Sequence, residues 1–454
     1  MAILTKEEAK KILDKVLSYS KADEMSASLS GNRTGNIRYA RNSVSTSGES
    51  NNLGLSVTAV FGKKSGTATI NEFDDAALEK TVRRAEEIAR LAPENSEYMP
   101  MLGPQNYLQT NTYSESTAKI DPEFRANAAF DSIDPCRKNN LTAAGYMEDT
   151  TGFVAIGNSK GLFGYNRETN VDFSITVRTA DGLGSGYANP DVNDVSKLDT
   201  KATTQIAMQK AQASASARAI EPGKYTVILE PTASVELLQN MMRSMDARNA
   251  DEGRSFLSKK GGGTRLGEKL FDERVTIITD PMNADLPLSP FGGGGGGGGG
   301  GRFGGGGDGL GLPQEKRTWI ENGVVKNMFY SRFWADKKGV KPIPPAGGFI
   351  MMGGTQSLAD LIKSTDKGIL VTRFWYIRAV DPQTQLYTGL TRDGTFYIEN
   401  GQIKFPIKNF RFNESPVIML NNVEALGKPV RAGGNMIPPM KIRDFTFTSL
   451  SDAV

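Results

Sequence analysis

The sequence predicts an α+β protein of two domains, an N-terminal domain (1–221) of antiparallel sheet with flanking helices and a C-terminal β-rich, barrel-like domain (222–454). Two observations lead to this prediction. Apolar residues recur at helical spacing in several segments, and the runs between them alternate with a period of two and are bounded by Gly, Asn and Ser. In addition, Glu-Pro-Gly at 221–223 ends an alanine-rich segment just before a buried strand, so we place the domain boundary there.

The first elements follow from local signals. Thr5 and Glu8 form a capping box that begins a helix over residues 6–19. Short alternating runs predict an antiparallel meander over 22–71. Asp74 and Asp75 begin a second helix, which Pro93 ends. Residues 94–118 are polar and rich in turn residues, so they predict a loop.

The rest of the N-terminal domain continues this alternation. Asp121-Pro122 begins a third helix that extends to about residue 138. Strands are predicted at 141–149, 151–157 and 162–179, with a hairpin turn at 158–161. A helix at 196–219 completes the domain, and we expect the helices to cover one side of the sheet.

The C-terminal domain shows mostly strand signals. A buried strand at 224–230 leads into a helix at 231–247, where proline occupies the first turn. Two Asn-Gly hairpins are predicted, at 319–327 and 397–405. Ser357 and Asp360 cap a short helix, and 368–380 resembles one strand. The pattern predicts a barrel-like or highly curved antiparallel sheet.

Charge and apolar content narrow the classes of function. The 454 residues include 54 basic and 51 acidic ones, for a net charge of +3, and this balance does not favour nucleic-acid binding. No apolar run approaches the ~20 residues that cross a bilayer, and the first segment is charged from Lys6 onward. The single Cys136 excludes an internal disulfide framework. We therefore expect a cytoplasmic protein without a membrane or nucleic-acid partner.

The sequence contains no histidine. This removes the most common general base and the most common zinc ligand, and it excludes Ser-His-Asp and Cys-His mechanisms. A transition-metal site would have to consist mainly of carboxylates. Conventional hydrolytic chemistry is therefore difficult to build from this chain.

A glycine-rich segment spans residues 291–312. It lacks the GK[ST] of a phosphate-binding P-loop, and no helix signal follows it as a dinucleotide-binding turn requires. A surface linker is the simpler interpretation.

Two other stretches stand out. The helix at 231–247 carries Leu237, Leu238, Met241, Met242 and Met245 near one face, which predicts packing in a core. In the strand-like run RFWYIR, arginines alternate with aromatic residues. Arg373, Trp375 and Arg378, together with Arg392, could line a groove for an extended peptide. The alternative is an ordinary strand with one apolar and one solvated face.

The order of motifs resembles the TldD/PmbA family, whose members are often labelled modulators of DNA gyrase. The resemblance extends over essentially the whole chain. It is carried by PGKYTVILEPTASVELL (222–238), SFLS (255–258), IENGVVKNMFYSRFWADKKG (320–339), GGTQSLADLI (353–362) and GKPVRAGGNMIPPMKI (427–442).

This resemblance implies a pair of related subunits in which one carries a zinc motif, HExxxH, and the other completes the peptide-binding cavity. Counted from SFLS, the His, Glu and His positions of the motif fall on Leu237, Leu238 and Met242. These side chains cannot bind zinc or act as a base. The chain is therefore similar to the non-catalytic, PmbA-type branch, with no metal or other cofactor of its own. The partners implied are a zinc-bearing TldD-like subunit or a second copy, and unfolded peptide.

Two alternatives remain open at this point. The chain could be a hydrolase in its own right with a carboxylate or metal site, for which Glu230, Glu236, Asp246 and Asp251 are candidates without diagnostic spacing. It could also regulate DNA gyrase or another protein without any proteolytic role.

The family comparison also changes the interpretation of the glycines. Relatives have a mixed-sequence loop between segments like 285–291 and 308–313, so we hypothesise that Gly292–Gly301 and Gly304–Gly307 stand in partly for other residues. Sequencing the gene across this loop is expected to show codons other than glycine, and fourteen glycine codons would refute the hypothesis.

Overall fold

The computed structural model describes residues 3–292 and 309–451, so the glycine segment lies largely outside the described residues. The helices are Lys6–Ser18 (α1), Asp75–Leu91 (α2), Glu115–Ala118 (α3), Pro122–Lys138 (α4), Thr200–Ala213 (α5), Pro231–Arg243 (α6), Ala247–Asp251 (α7), Arg332–Lys338 (α8), Leu358–Lys363 (α9) and Pro416–Asn421 (α10). A 3-10 turn lies at Val195–Lys197. In the described ranges, no helix is long and apolar enough to cross a membrane.

The strands of the first half are Glu24–Ala40 (β1), Ser43–Phe61 (β2), Lys64–Ile70 (β3), Leu141–Asn158 (β4), Phe163–Thr179 (β5), Ser185–Ala188 (β6) and Asp191–Val192 (β7). Those of the second half are Lys224–Leu229 (β8), Ile277–Thr279 (β9), Arg317–Glu321 (β10), Val324–Val325 (β11), Ile350–Met351 (β12), Lys367–Val371 (β13), Phe374–Asp381 (β14), Leu386–Thr391 (β15), Thr395–Glu399 (β16), Gln402–Pro406 (β17), Phe410–Glu414 (β18), Val423–Leu426 (β19), Val430–Ala432 (β20), Asn435–Ile437 (β21) and Met440–Leu450 (β22).

The N-terminal strands form one antiparallel sheet in the order β3-β2-β1-β4-β5-β6, and β7 also pairs with β5. Side chains two residues apart share a face of a strand. On β1, Leu29 packs under α1 and α2, and Ile37 packs under α4 and α5. The helices therefore cover one face of the sheet, as the sequence predicts, and the α+β class is confirmed.

A buried ion pair lies between these two apolar clusters. Arg125 of α4 is 1% exposed, and its Nη1 is 2.8 Å from Oδ1 of Asp149 on β4. The guanidinium lies against β1 at Gly35, where an added Cβ would be 1.9 Å from Nη1. Glycine is needed at this position because the arginine approaches the strand so closely. The pair ties α4 to the middle of the sheet.

The C-terminal strands form two open sheets. A nine-stranded sheet follows the order β14-β15-β18-β22-β8-β13-β16-β17, with β19 paired to β22, and a six-stranded sheet follows β11-β10-β9-β12-β21-β20. Most pairs are antiparallel, and β8–β13 and β12–β21 are parallel. The largest apolar core contains side chains from both sheets, α6 and α10. The half is β-rich as predicted, but among the described strands no sheet closes into a barrel.

Both Asn-Gly hairpins are confirmed. Asn322-Gly323 joins β10 to β11 and Asn400-Gly401 joins β16 to β17, with positive φ at all four residues. Two consecutive positive φ values suit the right-handed twist of the flanking strands.

Several predicted boundaries differ from the structure. The run 368–380 is two strands, β13 and β14, because Thr372 Oγ1 donates to the carbonyls of Asp393 and Gly394 and the chain turns there. Conversely, 141–149 and 151–157 are one strand, β4, which pairs without interruption with both β1 and β5.

Two helices end earlier than predicted, and one short helix was missed. Helix α5 ends at Ala213, where Ser214 Oγ bonds to the backbone of β6. Helix α6 ends at Arg243, since Ser244 Oγ bonds back to the carbonyl of Asn240. The predicted loop 94–118 contains α3. The N-terminal sheet uses residues 24–192 and the other sheets use 224–450, and the domain boundary at 221 stays a prediction.

The buried ion pair generates a stability prediction. Asp149→Ala leaves the Arg125 guanidinium buried without its main partner, and we expect the free energy of unfolding to fall by about 3 kcal/mol in denaturant titrations. Arg125 also has a second, half-exposed partner, Glu49, at 3.3 Å. Glu49→Gln is the matched control and should cost less than ~1 kcal/mol. A combined Arg125→Met/Asp149→Leu variant should be more stable than Asp149→Ala, and a further loss in that variant would contradict this explanation.

Candidate functional site

A cavity of about 390 Å³ lies between the N-terminal sheet and helix α6. It forms where the face of β5 that carries no helices meets the C-terminal half of the chain. It is lined by Thr150, Glu168, Thr169, Asn170, Asp172, Asp191, Asn193, Gln239, Arg243, Leu286, Pro287, Leu288, Gly347, Arg431, Gly433 and Gly434. Polar and charged side chains thus dominate the sheet side of the cavity, and a short apolar wall, residues 286–288, lies among the C-terminal residues.

Helix α6 presents only its polar side to this cavity. Gln239 and Arg243 are four residues apart and therefore share one helix face. The Gln239 amide donates to the carbonyl of Gly433 at 2.8 Å, in the turn between β20 and β21. The opposite side of α6, including Met241, is buried in the C-terminal core.

The positions assigned to the degenerate zinc motif lie on that buried side. Leu237 and Leu238 are fully buried, and Met242 is 4% exposed. The structure therefore brings none of the three to the cavity. Their correspondence to the family's His, Glu and His stays a prediction.

Three carboxylates, Glu168, Asp172 and Asp191, form an acidic cluster on the sheet side of the cavity. Asp172 and Asp191 are directly opposite each other in the β5–β7 pair. Burial raises the pKa of Asp172 to about 6, and the neighbouring Asp191 contributes in the same direction.

Two oxygens of this acidic cluster are shielded from solvent and have no hydrogen-bond partner. Asp191 is 4% exposed, and its Oδ2 accepts from Nε of Arg431 at 2.7 Å and from the backbone N–H of Gly434 at 3.3 Å, whereas Oδ1 has no partner. Glu168 as a whole is half-buried, but its Oε1 is enclosed and also has no partner. Burial raises the pKa of Glu168 to about 7.

The residues predicted to bind peptide lie together beside α6. Arg373 Nη1 is 2.7 Å from Oδ2 of Asp393, and its guanidinium stacks on the ring of Tyr187 from β6. Arg392 stacks on Trp375 at 4.1 Å from the ring centroid. Arg378 stacks on Tyr376, which in turn contacts Trp375. We call Arg373, Trp375, Tyr376, Arg378, Arg392 and Asp393 the arginine–aromatic cluster.

Strand β14 carries much of this cluster and forms one end of the nine-stranded sheet, where it pairs with β15. Trp375, Tyr376 and Val380 are exposed along it. Tyr376 has φ of 56°, and the pairing register shifts between Trp375 and Arg378. Such a bulge re-aims side chains and limits indiscriminate pairing at a free edge.

Glu236 connects the cavity to the arginine–aromatic cluster. It lies on α6, and burial raises its pKa, while the charges of Arg243, Arg378 and Arg373 act in the opposite direction. Arg243 lines the cavity, and the other two belong to the cluster. The exposed side of α6 therefore extends from the cavity to the arginine–aromatic cluster.

The other carboxylate candidates make structural contacts elsewhere. Glu230 pairs with Lys210 at 2.7 Å, and Asp246 accepts from the backbone N–H of Asn249 to cap α7. Asp251 accepts from Nε1 of Trp334 and pairs with Lys338. The structure does not bring the four candidates together. Among residues 3–292 and 309–451, no three Asp, Glu, Cys or His side chains are grouped so that they could hold a metal ion.

Glu168 gives a pH-dependent prediction for stability. Its carboxyl has a pKa of about 7 when folded and a reference value of 4.5, so the folded protein loses stability as pH rises through this interval. Well below pH 4.5 the carboxyl is protonated in both states and there is no penalty. Glu168→Gln removes the ionisation, so we expect its stability relative to wild type to be greater at pH 8 than at pH 3.5 by roughly 3 kcal/mol. Denaturation at several pH values measures this difference.

Glu87, an exposed carboxylate on α2, provides the control. Glu87→Gln should leave the pH dependence unchanged. If Glu168→Gln also matched wild type at every pH, Glu168 would not be held in a desolvating site.

Models of one family match most of the chain. The "PmbA/TldA metallopeptidase C-terminal domain" matches residues 222–449, domain 1 matches 26–89 and the central domain matches 117–215. Metalloprotease PmbA of Escherichia coli O157:H7 is 22% identical over 86% of this chain and 85% of that protein.

Solved structures show the same fold. TldE from Thermococcus kodakarensis superposes with a TM-score of 0.84 at 16% identity and covers 97% of this chain and 99% of its own. A Thermotoga maritima protein, named as a candidate modulator of a DNA gyrase, gives a TM-score of 0.84 at 17% identity and covers 97% and 100%. With its C-terminal half, central region and first domain all matched, the chain belongs to the PmbA/TldD metallopeptidase family.

Proposed function

We propose that this chain is the non-catalytic, or weakly catalytic, subunit of a cytoplasmic TldD/PmbA-type peptidase complex. It binds peptide and completes the cavity of a zinc-bearing relative, with a second copy of itself as the alternative partner. One observation carries the proposal: the side of α6 that faces the cavity presents Gln239 and Arg243.

Neither side chain can replace the groups of a zinc peptidase. Such a site needs three protein ligands, most often imidazoles or carboxylates, and a general base for the attacking water. A guanidinium group such as that of Arg243 donates hydrogen bonds and has no acceptor, and the amide of Gln239 cannot accept a proton at neutral pH. Hydrolysis in the complex would therefore depend on residues of the partner.

Peptide binding is supported by the outer edge of β14, which pairs with no other strand among the described residues. An extended peptide can add to such an edge through main-chain hydrogen bonds, and neighbouring side chains then select its sequence. The arginine–aromatic cluster lies along this edge and offers the guanidinium groups of Arg378 and Arg392 to carboxylates and the exposed parts of the Trp375 and Tyr376 rings to apolar residues.

The two alternatives, an independent hydrolase and a regulator of DNA gyrase, have less support. Three of the four candidate carboxylates are engaged in structural contacts, Glu230 with Lys210, Asp246 with the backbone of α7 and Asp251 with Lys338, which weakens the case for an independent hydrolase. The near-balanced net charge of +3 gives a gyrase regulator no evident surface for DNA.

Reconstituted cleavage tests the proposal. An unfolded peptide is incubated with this chain alone, with a zinc-bearing relative alone and with both, and the products are quantified by mass spectrometry. We expect cleavage to be greatest with both and to stop when a chelator removes zinc. Chelator-sensitive cleavage by this chain alone, or no association with the relative by size, would contradict the proposal.

The edge of β14 gives a second test. Trp375→Ala removes an exposed ring from the cluster, and we expect the affinity for unfolded peptide to fall about tenfold, as for an aromatic anchor at an interface. Fluorescence anisotropy with a labelled peptide measures the change. Val44→Ala removes an exposed apolar side chain on β2 and should have no effect. Equal affinities for the two variants would place the peptide elsewhere.

A further inference from the structure

We propose that the acidic cluster of the cavity binds a primary ammonium group of the peptide, either its amino terminus or a lysine side chain. The inference rests on the proposed peptide-binding function and specifies its substrate class. It is carried by the two enclosed oxygens without partners, by the charge balance of the lining and by the size and lining of the cavity.

The unpartnered oxygens are the first step. A buried carboxylate oxygen without a hydrogen bond is costly, and proteins retain few of them. Here Oδ1 of Asp191 and Oε1 of Glu168 are both enclosed, and both residues line the same cavity. A ligand that donates hydrogen bonds would satisfy both.

The charge balance is the second step. The lining carries three carboxylates and two guanidinium groups, those of Arg243 and Arg431. Arg431 is already engaged, because Nε bonds to Asp191 and Nη1 bonds to the carbonyl of Asp285 at 3.0 Å. Arg243 donates to Oδ1 of Asn240 at 3.2 Å. When all three carboxylates are ionised the lining has one net negative charge, which a ligand with one positive charge would balance, and such a ligand would itself favour the ionised form of Glu168.

Two of the carboxylates face each other across paired strands, which strengthens the case for a bound cation. Asp172 and Asp191 are cross-strand neighbours, and like charges at directly opposite positions destabilise a sheet. Arg431 contacts Asp191, whereas Asp172 accepts from the neutral amide of Asn170 at 3.0 Å. A cation bound beside Asp172 and Asp191 would reduce the repulsion between these two carboxylates.

The geometry favours an ammonium group over a metal ion or a guanidinium. Within the described part of the chain, these carboxylates do not form a metal-binding group of three. Guanidinium recognition is strongest when both oxygens of one carboxylate are available, but Oδ2 of Asp191 accepts from Arg431 and Oδ2 of Asp172 accepts from Asn170. An ammonium has three rotatable donors that can be shared among separate carboxylates.

The size and lining of the cavity fit the rest of such a ligand. About 390 Å³ is far more than a bare ion needs. Leu286, Pro287 and Leu288 can contact the aliphatic carbons next to the ammonium.

The test measures peptide affinity of the full chain by calorimetry. It compares three peptides of one lysine- and arginine-free sequence: one with a free amino terminus, its N-acetylated form, and the acetylated form with one internal lysine. We expect the acetylated, lysine-free peptide to bind about tenfold more weakly than at least one amine-bearing peptide. Preference for the free terminus identifies the α-ammonium as the ligand, and preference for the lysine peptide identifies the side chain.

Variants connect that preference to the site. Glu168→Gln should reduce the preference for amine-bearing peptides to near one, and Glu87→Gln should keep it. Asp172→Asn is a second, independent variant with the same expected loss.

The outcomes separate the two proposals. Equal binding of all three peptides, or a preference that survives in both variants, would overturn the ammonium site and leave the proposed peptide-binding function in place. Failure of all three peptides to bind would contradict the proposed function and the ammonium site with it.

Discussion

The contact of Arg431 with Asp191 is the interaction on which the candidate site depends. Arg431, in the C-terminal strand β20, reaches Asp191 on β7, a residue 240 positions earlier in the chain. It also contacts Asn193 and the carbonyl of Asp285. This one side chain therefore joins the uncovered face of the N-terminal sheet to the C-terminal half, and it leaves the other oxygen of Asp191 inside the cavity.

Local elements could be predicted from the sequence because their causes are local. The capping box of Thr5 and Glu8 and the two Asn-Gly turns involve residues a few positions apart, and all are present. The division of 368–380 into two strands could not be predicted, since it depends on hydrogen bonds from Thr372 to residues about twenty positions away. Whether a C-terminal sheet closes into a barrel likewise depends on pairing between strands that are distant in the sequence.

The candidate site, too, could be predicted only in part from the sequence. Glu168, Asn170 and Asp172 alternate along the strand predicted at 162–179, so their common face was visible in the sequence. Polar residues on such a face are usually solvated, and only the covering C-terminal half buries them. For α6, the leucine and methionine pattern predicted packing in the core, and the structure buries those residues. Gln239 and Arg243 were missed because the pattern did not reveal that the remaining face lines a cavity.

The central claim is that this cavity and the edge of β14 receive an unfolded peptide. Photo-crosslinking tests it most directly, with a diazirine near the amino end of the peptide and mass spectrometry to map the adducts on the chain. If the claim is right, adducts fall on α6, on β14 and on the cavity-lining residues of β5 and β7. Adducts confined to a remote surface, such as the exposed side of α2, would contradict it.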